Sequence, residues 1–237
     1  MSNQDGMRIN KYLSHAGFCS RREADRLLEA GRITINGKSP ELGAKVQPGD
    51  IVAVDGRNVV NDEEEKHVYI AFNKPVGIVC TTDTKVEKDN IIDYINYPKR
   101  IYPIGRLDKA SEGLILLTDD GAIVNKILRS RNDQGKEYIV TVNKALTNEF
   151  LQGMGNGVPI LNTVTKKCKV WKTGHREFHI ILTQGLNRQI RRMCEYFDFK
   201  VVGLKRIRVV NIKLGNLKIG EYRDLTTEEL EELKQIV

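Results

Sequence analysis

Cysteine is scarce in this chain and badly placed for any joint role. The four residues, Cys19, Cys80, Cys168 and Cys194, form no Cys-x-x-Cys pair and have no histidine at ligand spacing. That argues against both a zinc site and a disulfide framework. They read as reduced, mostly buried small hydrophobes of a cytoplasmic protein. Long apolar stretches are missing too. None reaches the length of a membrane span, and the N-terminus lacks the apolar region of a secretory signal, so a soluble cytoplasmic chain without membrane contact is expected. There is no Gly-x-Gly-x-x-Gly loop, no P-loop and no metal-ligand cluster, which removes several nucleotide- and metal-dependent enzyme classes. His15, His67, His175 and His179 have no convincing partners in the sequence and receive no catalytic role.

What is present is an ordinary globular composition, 40% hydrophobic and 29% charged over 237 residues, with a formal charge of +7. The basic excess is concentrated. Between Asn187 and Lys213 stand Arg188, Arg191, Arg192, Lys200, Lys205, Arg206, Arg208 and Lys213 against only Glu195 and Asp198. Nucleic acid is the leading partner class on that ground.

The first 60 residues form a module of their own. After a polar lead through Gly6, Ile9, Tyr12 and Leu13 recur at helical spacing, and Gly17 ends that helix. Ser20-Arg21-Arg22-Glu23 is a capping-box pattern opening a second helix, with Ala24, Leu27 and Leu28 on its apolar face and Gly31 at its stop. Ile33-Thr34-Ile35 alternates as a strand and meets Asn36-Gly37, a hairpin-turn signal. Pro48-Gly49-Asp50 turns into a strand over residues 51–54. Arg21, Arg22 and Arg26 can gather near one helix and meet phosphates. Equally, Glu23, Asp25 and Glu29 nearly balance them, as on a solvated face. Residues 58–66, with Asp62-Glu63-Glu64-Glu65, read as an acidic linker.

From residue 67 to 237 the pattern is a second module. Strands are expected at 68–72, 78–81, 114–117, 138–142, 178–182 and 204–214, and helices near 121–128, 147–154 and 188–197. Without strict βαβ alternation, this is an α+β domain around a mixed, mostly antiparallel sheet. Thr226-Thr227-Glu228-Glu229 is a further capping box, opening a terminal helix with Leu230 and Leu233. The most informative stretch runs from Gly105 to Gly121. Arg106 and Asp108 lie in a polar loop that feeds directly into the apolar run Leu114–Leu117. Composition alone reads the two as a surface ion pair at a turn. A charged loop anchored in a core is also a natural place for chemistry.

Four ordered motifs decide between these. Phe72-Asn73-Lys74-Pro75-Val76-Gly77, Gly105-Arg106-Leu107-Asp108 with its Leu-rich strand ending Thr118-Asp119-Asp120-Gly121, Lys136-Glu137-Tyr138, and Gln189-Ile190-Arg191-Arg192-Met193 together resemble the pseudouridine synthases. More narrowly they resemble the RsuA/RluB/RluE/RluF family, and the segments 185–197 and 204–212 look most like its RluF branch. Ser111 stands where Thr is commoner; both carry a hydroxyl. The N-terminal module is similar to the S4 RNA-binding domain through Arg8, Asn10, Lys11, Ser20, Arg21, Arg22, Asn36 and Gly37, with Arg26 and Lys38 as neighbouring RNA contacts.

The resemblance implies an RNA pseudouridine synthase acting on rRNA, chiefly 23S rRNA and secondarily a tRNA, as a monomer without cofactor or metal. It makes Asp108 the catalytic nucleophile or base and Arg191 its ion-pair partner. Tyr138 becomes the tyrosine that stacks on the flipped uracil, and Arg106 the residue that fills the vacated space. Lys74, Arg188 and Arg192 are placed as substrate contacts, Lys74 and Arg192 with structural readings beside them. The alternative is a non-catalytic S4 protein acting in ribosome assembly, against which stands the presence of Asp108, Tyr138 and Arg191.

Overall fold

In a computed structural model, residues 6–60, 67–129 and 135–236 are described. The first five residues and the acidic linker positions 61–66 lie outside them. The chain divides into two compact units, Met1–His67 with Asp119–Gly121, and Val68–Thr118 with Ala122–Val237. No helix among the described residues is long and apolar enough to cross a membrane.

The first unit runs β1 (Met7–Arg8), α1 (Ile9–His15), α2 (Arg21–Glu29), β2 (Ile33–Ile35), β3 (Lys45–Val46), β4 (Val52–Val54) and β5 (Arg57–Asn58). Ile9, Leu13, Leu27, Leu28, Ile33, Val46, Val52 and Val54 make its core. Ser20 Oγ accepts from Glu23 N at 3.1 Å, as the capping pattern requires. The reciprocal half is not made, because the Glu23 carboxylate turns to Arg26 at 3.2 Å. α2 ends as anticipated at Gly31 (φ +68), with Gly31 N and Arg32 N bonded to the carbonyls of Leu28 and Leu27. Asn36-Gly37 does turn the chain, but β2 finds its ladder partner in β4, whereas beyond the turn only Lys38 bridges back to Ile35.

The second unit comprises β6 (Tyr69–Lys74), α3 (Ile91–Ile95), β7 (Tyr102–Ile104), β8 (Glu112–Thr118), α4 (Gly121–Arg129), β9 (Lys136–Val142), α5 (Asn148–Asn156), β10 (Pro159–Ile160), β11 (Thr163–Val164), β12 (Lys169–Lys172), β13 (Glu177–Leu182), α6 (Gln189–Tyr196), β14 (Val201–Val209), β15 (Ile212–Lys213), β16 (Tyr222–Asp224) and α7 (Thr227–Ile236). A sheet in the order β12-β13-β9-β14-β8-β6-β16, with β15 on β14 and β7 on β8, organises it. Only β14 against β8 is parallel, so the sheet is mixed and mostly antiparallel, as the pattern implied.

Period-two alternation explains the layers. Ile70, Phe72, Ile115 and Leu117 face α3, and Val140, Phe178, Ile180 and Leu204 face α5 and α6. The intervening residues Ala71, Leu114 and Leu116 pack the other way, against α4 and α7. Tyr138 touches both clusters of the first face and sits between them. Two expected strands differ. Residues 78–81 form no strand beyond a bridge at Val79, because the backbone curls there to present the Ile78 carbonyl to Lys74. The run 204–214 is a hairpin, broken at Val210 (φ +56).

Candidate active site

Asp108 lies in the loop of residues 105–111 that closes the β7–β8 hairpin. Ser111 N donates to the Asp108 carbonyl at 3.0 Å, making the turn that presents the side chain. Where the loop enters β8, Gly113 (φ +104) packs directly on the backbone of Arg206, and a Cβ there would run into that residue's carbonyl. Glycine is what lets β8 and β14 close at this point.

The loop is fastened by its neighbours. Gly77 N donates to Lys109 O at 2.8 Å, which ties the Pro75–Gly77 turn to it. Leu107 N donates to the buried Cys80 Sγ at 3.4 Å. Arg191, 9% exposed on α6, donates through Nη2 to Ala110 O at 2.8 Å and Ser111 Oγ at 3.3 Å, and through Nη1 to Val201 O at 3.3 Å. Arg206, 3% exposed on β14, donates through Nε to Leu114 O at 2.6 Å and through Nη1 to Arg106 O at 3.5 Å. Each guanidinium keeps one buried nitrogen, Arg191 Nε and Arg206 Nη2, without a hydrogen-bond partner among the described residues.

The Asp108 carboxylate is half-buried and makes no hydrogen bond or ion pair among the described residues. The expected direct pair with Arg191 is therefore absent; Arg191 holds the loop's backbone instead, and the two groups act on each other through space. Burial pulls the Arg191 guanidinium below its ordinary value, Arg188 adds to that, and Asp108 opposes it. Lys74 behaves similarly: burial lowers it, while Cys80, Asp108 and Glu112 raise it and Arg206 lowers it further. Burial likewise pushes the Cys80 thiol up. Two buried cations thus lie within electrostatic reach of one unpaired carboxylate.

The remaining expected site residues separate into two groups. Tyr138, on β9 opposite Arg206 of β14, is half-buried, and its hydroxyl has no hydrogen-bond partner among the described residues. Arg106 and Arg188 are exposed, Arg188 as the left-handed N-cap of α6. Lys74 is not a substrate contact: it is 0% exposed, and its Nζ donates to Pro75 O and Ile78 O, both at 2.8 Å. Arg192 binds Asn187 through Nε and Nη2 and covers the helix start. In the first unit, Arg8, Lys11, Arg21, Arg22 and Lys38 are exposed and form no ion pair among the described residues. Asn10 and Asn36 are internal ties, to Asp25 at 2.8 Å and to Asp50 at 2.7 Å, and Ser20 is a cap. Arg26 is paired with Glu23 on its helix with its side chain 75% exposed, so all four have partners within their own unit. Arg206 is the site residue that sequence reasoning missed. It was counted as surface charge, and only its strand partners reveal it as buried.

A chain with an arginine-clamped loop carrying a free carboxylate, and a first unit with exposed arginines that form no ion pair among the described residues, has counterparts among known proteins. Residues 68–196 match the RNA pseudouridylate synthase family and residues 7–52 the S4 domain. The chain belongs to the RNA pseudouridylate synthase family and carries an S4 domain; it is an isomerase that works on RNA. Over 231 residues it is 55% identical to the dual-specificity RNA pseudouridine synthase RluF of Escherichia coli (strain K12), covering 98% of this chain and 79% of that one. It is 34% identical over 237 residues to the ribosomal large subunit pseudouridine synthase B of Bacillus subtilis (strain 168), covering 97% and 96%. A solved pseudouridylate synthase structure, 26% identical, superposes with a TM-score of 0.70 over 96% of this chain and all of that one.

Proposed function

We propose that this protein converts a specific uridine of 23S rRNA, and secondarily of a tRNA, to pseudouridine, with Asp108 as the group that initiates the reaction. The observation that carries this reading is the Asp108 carboxylate itself, unpaired among the described residues in a loop that Arg191, Arg206, Cys80 and Gly77 hold by its backbone. In the reaction the bond between the ribose C1′ and uracil N1 breaks, and C1′ is rejoined to C5. The proton on C5 leaves and one is taken up at N1, so the change is an isomerisation and consumes no co-reactant.

Asp108 engages the nucleotide as nucleophile or base. Arg191 is a positioning residue that fixes the loop and contributes a buried positive charge close by. The Tyr138 ring stacks on the extruded uracil, and its free hydroxyl assists proton transfer at C5. Flipping the base costs a few kcal/mol of stacking, less in a loop than in a duplex, and exposed Arg106 occupies the gap. Residues 1–60 bind RNA as the S4 domain, with Arg8, Lys11, Arg21, Arg22 and Lys38 on phosphates, and residues 67–237 form the catalytic domain. The protein acts as a cytoplasmic monomer without cofactor.

The test is carbodiimide labelling with primer extension on 23S rRNA treated with wild-type protein or Asp108→Asn. A single new uridine stop with wild type alone is expected. Turnover by Asp108→Asn overturns the role of Asp108. No stop on rRNA, ribosomal particles or tRNA favours the RNA-binding scaffold.

A further inference from the structure

The edge of the sheet at β12 carries a second positive surface, away from the Asp108 loop. From residue 150 to residue 176 the chain has no Asp or Glu. Lys166, Lys167, Lys169, Lys172 and Arg176 in that stretch are all exposed, and none forms an ion pair among the described residues. Among them stands the chain's one tryptophan, Trp171, 39% exposed.

Alternation along the strand sorts these side chains. Cys168 and Val170 pack inward against the core under α5 and α6. Lys169 and Trp171 therefore project from the reverse face, opposite Ile181 and His179 of β13. The Trp171 and His179 rings lie 5.1 Å apart. On the same face opens a concavity of about 700 Å³, lined in part by Lys167, Lys169, Ile181 and Thr183, with Arg208, which pairs with Glu137, and Glu232 at its far side. Lysines on an edge strand are a common guard against strand pairing, but an exposed tryptophan works against that purpose. Unpaired cations beside an exposed aromatic ring are the elements of a single-strand nucleic-acid platform.

We propose that this reverse face holds single-stranded RNA flanking the target uridine, with phosphates on Lys167 and Lys169 and a base stacked on Trp171; the inference rests on the reading of the protein as an RNA-modifying enzyme. The geometry allows it. β12 is the edge strand, two strand spacings or about 10 Å from β9; Tyr138 packs on the opposite face, so RNA leaving the cleft rounds that edge before it meets Trp171. The surface then adds affinity for long substrates and leaves the chemical step untouched.

The experiment compares two RNAs, a short stem-loop containing the target uridine and the same stem-loop with single-stranded flanks. Dissociation constants over a range of KCl and pseudouridine formation are measured for wild type, Lys167→Ala/Lys169→Ala, Trp171→Ala, Trp171→Phe and, as a charge control, Lys126→Ala on α4. With the flanked RNA the double variant loses about 1.4 from the log–log salt slope, roughly 0.7 per phosphate contact. Trp171→Ala weakens binding on the order of tenfold and Trp171→Phe restores it. On the short stem-loop all variants bind and turn over as wild type does. Equal loss on both RNAs, or on neither, overturns the proposal, the latter leaving an acidic protein as the alternative occupant. Failure of the wild type to form pseudouridine in either RNA would refute the enzymatic reading instead, and is read separately from the binding data.

Discussion

Arg191 Nη2 donates to the carbonyl oxygen of Ala110 at 2.8 Å, across 81 residues of sequence, and so holds the chain two residues past Asp108. The arginine's positive charge and its fork geometry are both used, the first through space on Asp108 and the second on Ala110, Ser111 and Val201. Lysine keeps the charge and loses the fork. Arg191→Lys is expected to lower the single-turnover rate about a hundredfold through loop misplacement, with RNA affinity retained. Arg191→Met, which leaves buried carbonyls unpaired, should also cost about 1–3 kcal/mol of stability, measured by urea unfolding. A Lys variant with the full wild-type rate would remove the positioning role.

Tyr138→Phe removes a hydroxyl that has no hydrogen bond among the described residues, while the ring continues to pack between two core clusters. Thermal unfolding should shift little. If the hydroxyl assists proton transfer, turnover falls about 10²- to 10⁴-fold while RNA binding persists. An unchanged rate would confine Tyr138 to stacking.

Lys74 offers a test by pH. Burial holds its ammonium below the usual lysine value, so the folded state binds this proton less well than the unfolded chain. The resulting penalty is complete at pH values below the folded value and disappears as pH rises from there toward 10.5, the unfolded reference. Chemical denaturation of wild type and Lys74→Met at pH 7 and pH 10 should show the wild type gaining on the variant at the higher pH. A difference independent of pH would contradict the assignment.

The terminal helix α7 gives the opposite sign. Arg223 donates to Glu229 through Nη1 and Nη2 at 2.7 and 2.8 Å, and Glu229 also closes a reciprocal cap with Thr226. The Arg223 bond, opposed by burial and helped by the Thr226 amide, holds the Glu229 carboxyl below its ordinary 4.5. Its contribution is present above that pH and is lost as pH falls through the lower folded value. Glu229→Gln should cost about 1 kcal/mol at pH 7, and the difference should shrink as pH falls below 4.5.

Where the sequence was legible, local physics and tertiary packing agreed. The apolar run at Leu114–Leu117 became the central β8, and the Thr226 box capped α7 in both directions. The Ser20 box formed only in part, because Arg26 one turn on competed for Glu23. What stayed hidden depends on partners distant in sequence. β16 (Tyr222–Asp224) has no apolar alternation and is a strand only through β6. α3 spans five residues, too few for a periodic signal, although Asn90 caps it as its residue type favours. At the site, Asp108, Tyr138 and Arg191 were identified from the family resemblance. Lys74 carried a structural reading beside its placement as a substrate contact, and its burial agrees with the former; the burial of Arg206 was not legible, since an arginine in sequence reads as surface until its neighbours are known. The basic excess at 187–213 is likewise divided, with Arg191 and Arg206 inside, while the exposed cations of β12 fell outside that window.

The two arginine clamps also order events during synthesis. The loop bearing Asp108 is made long before residues 191 and 206 that hold it, and β8 gains its parallel neighbour β14 only when the latter is available. The first unit draws its core from residues 9–54 and can fold while the rest is still being translated. A nascent chain is therefore expected to complete its S4 unit early and the fastening of the Asp108 loop last, with long-range closure of the sheet as the expected slow step.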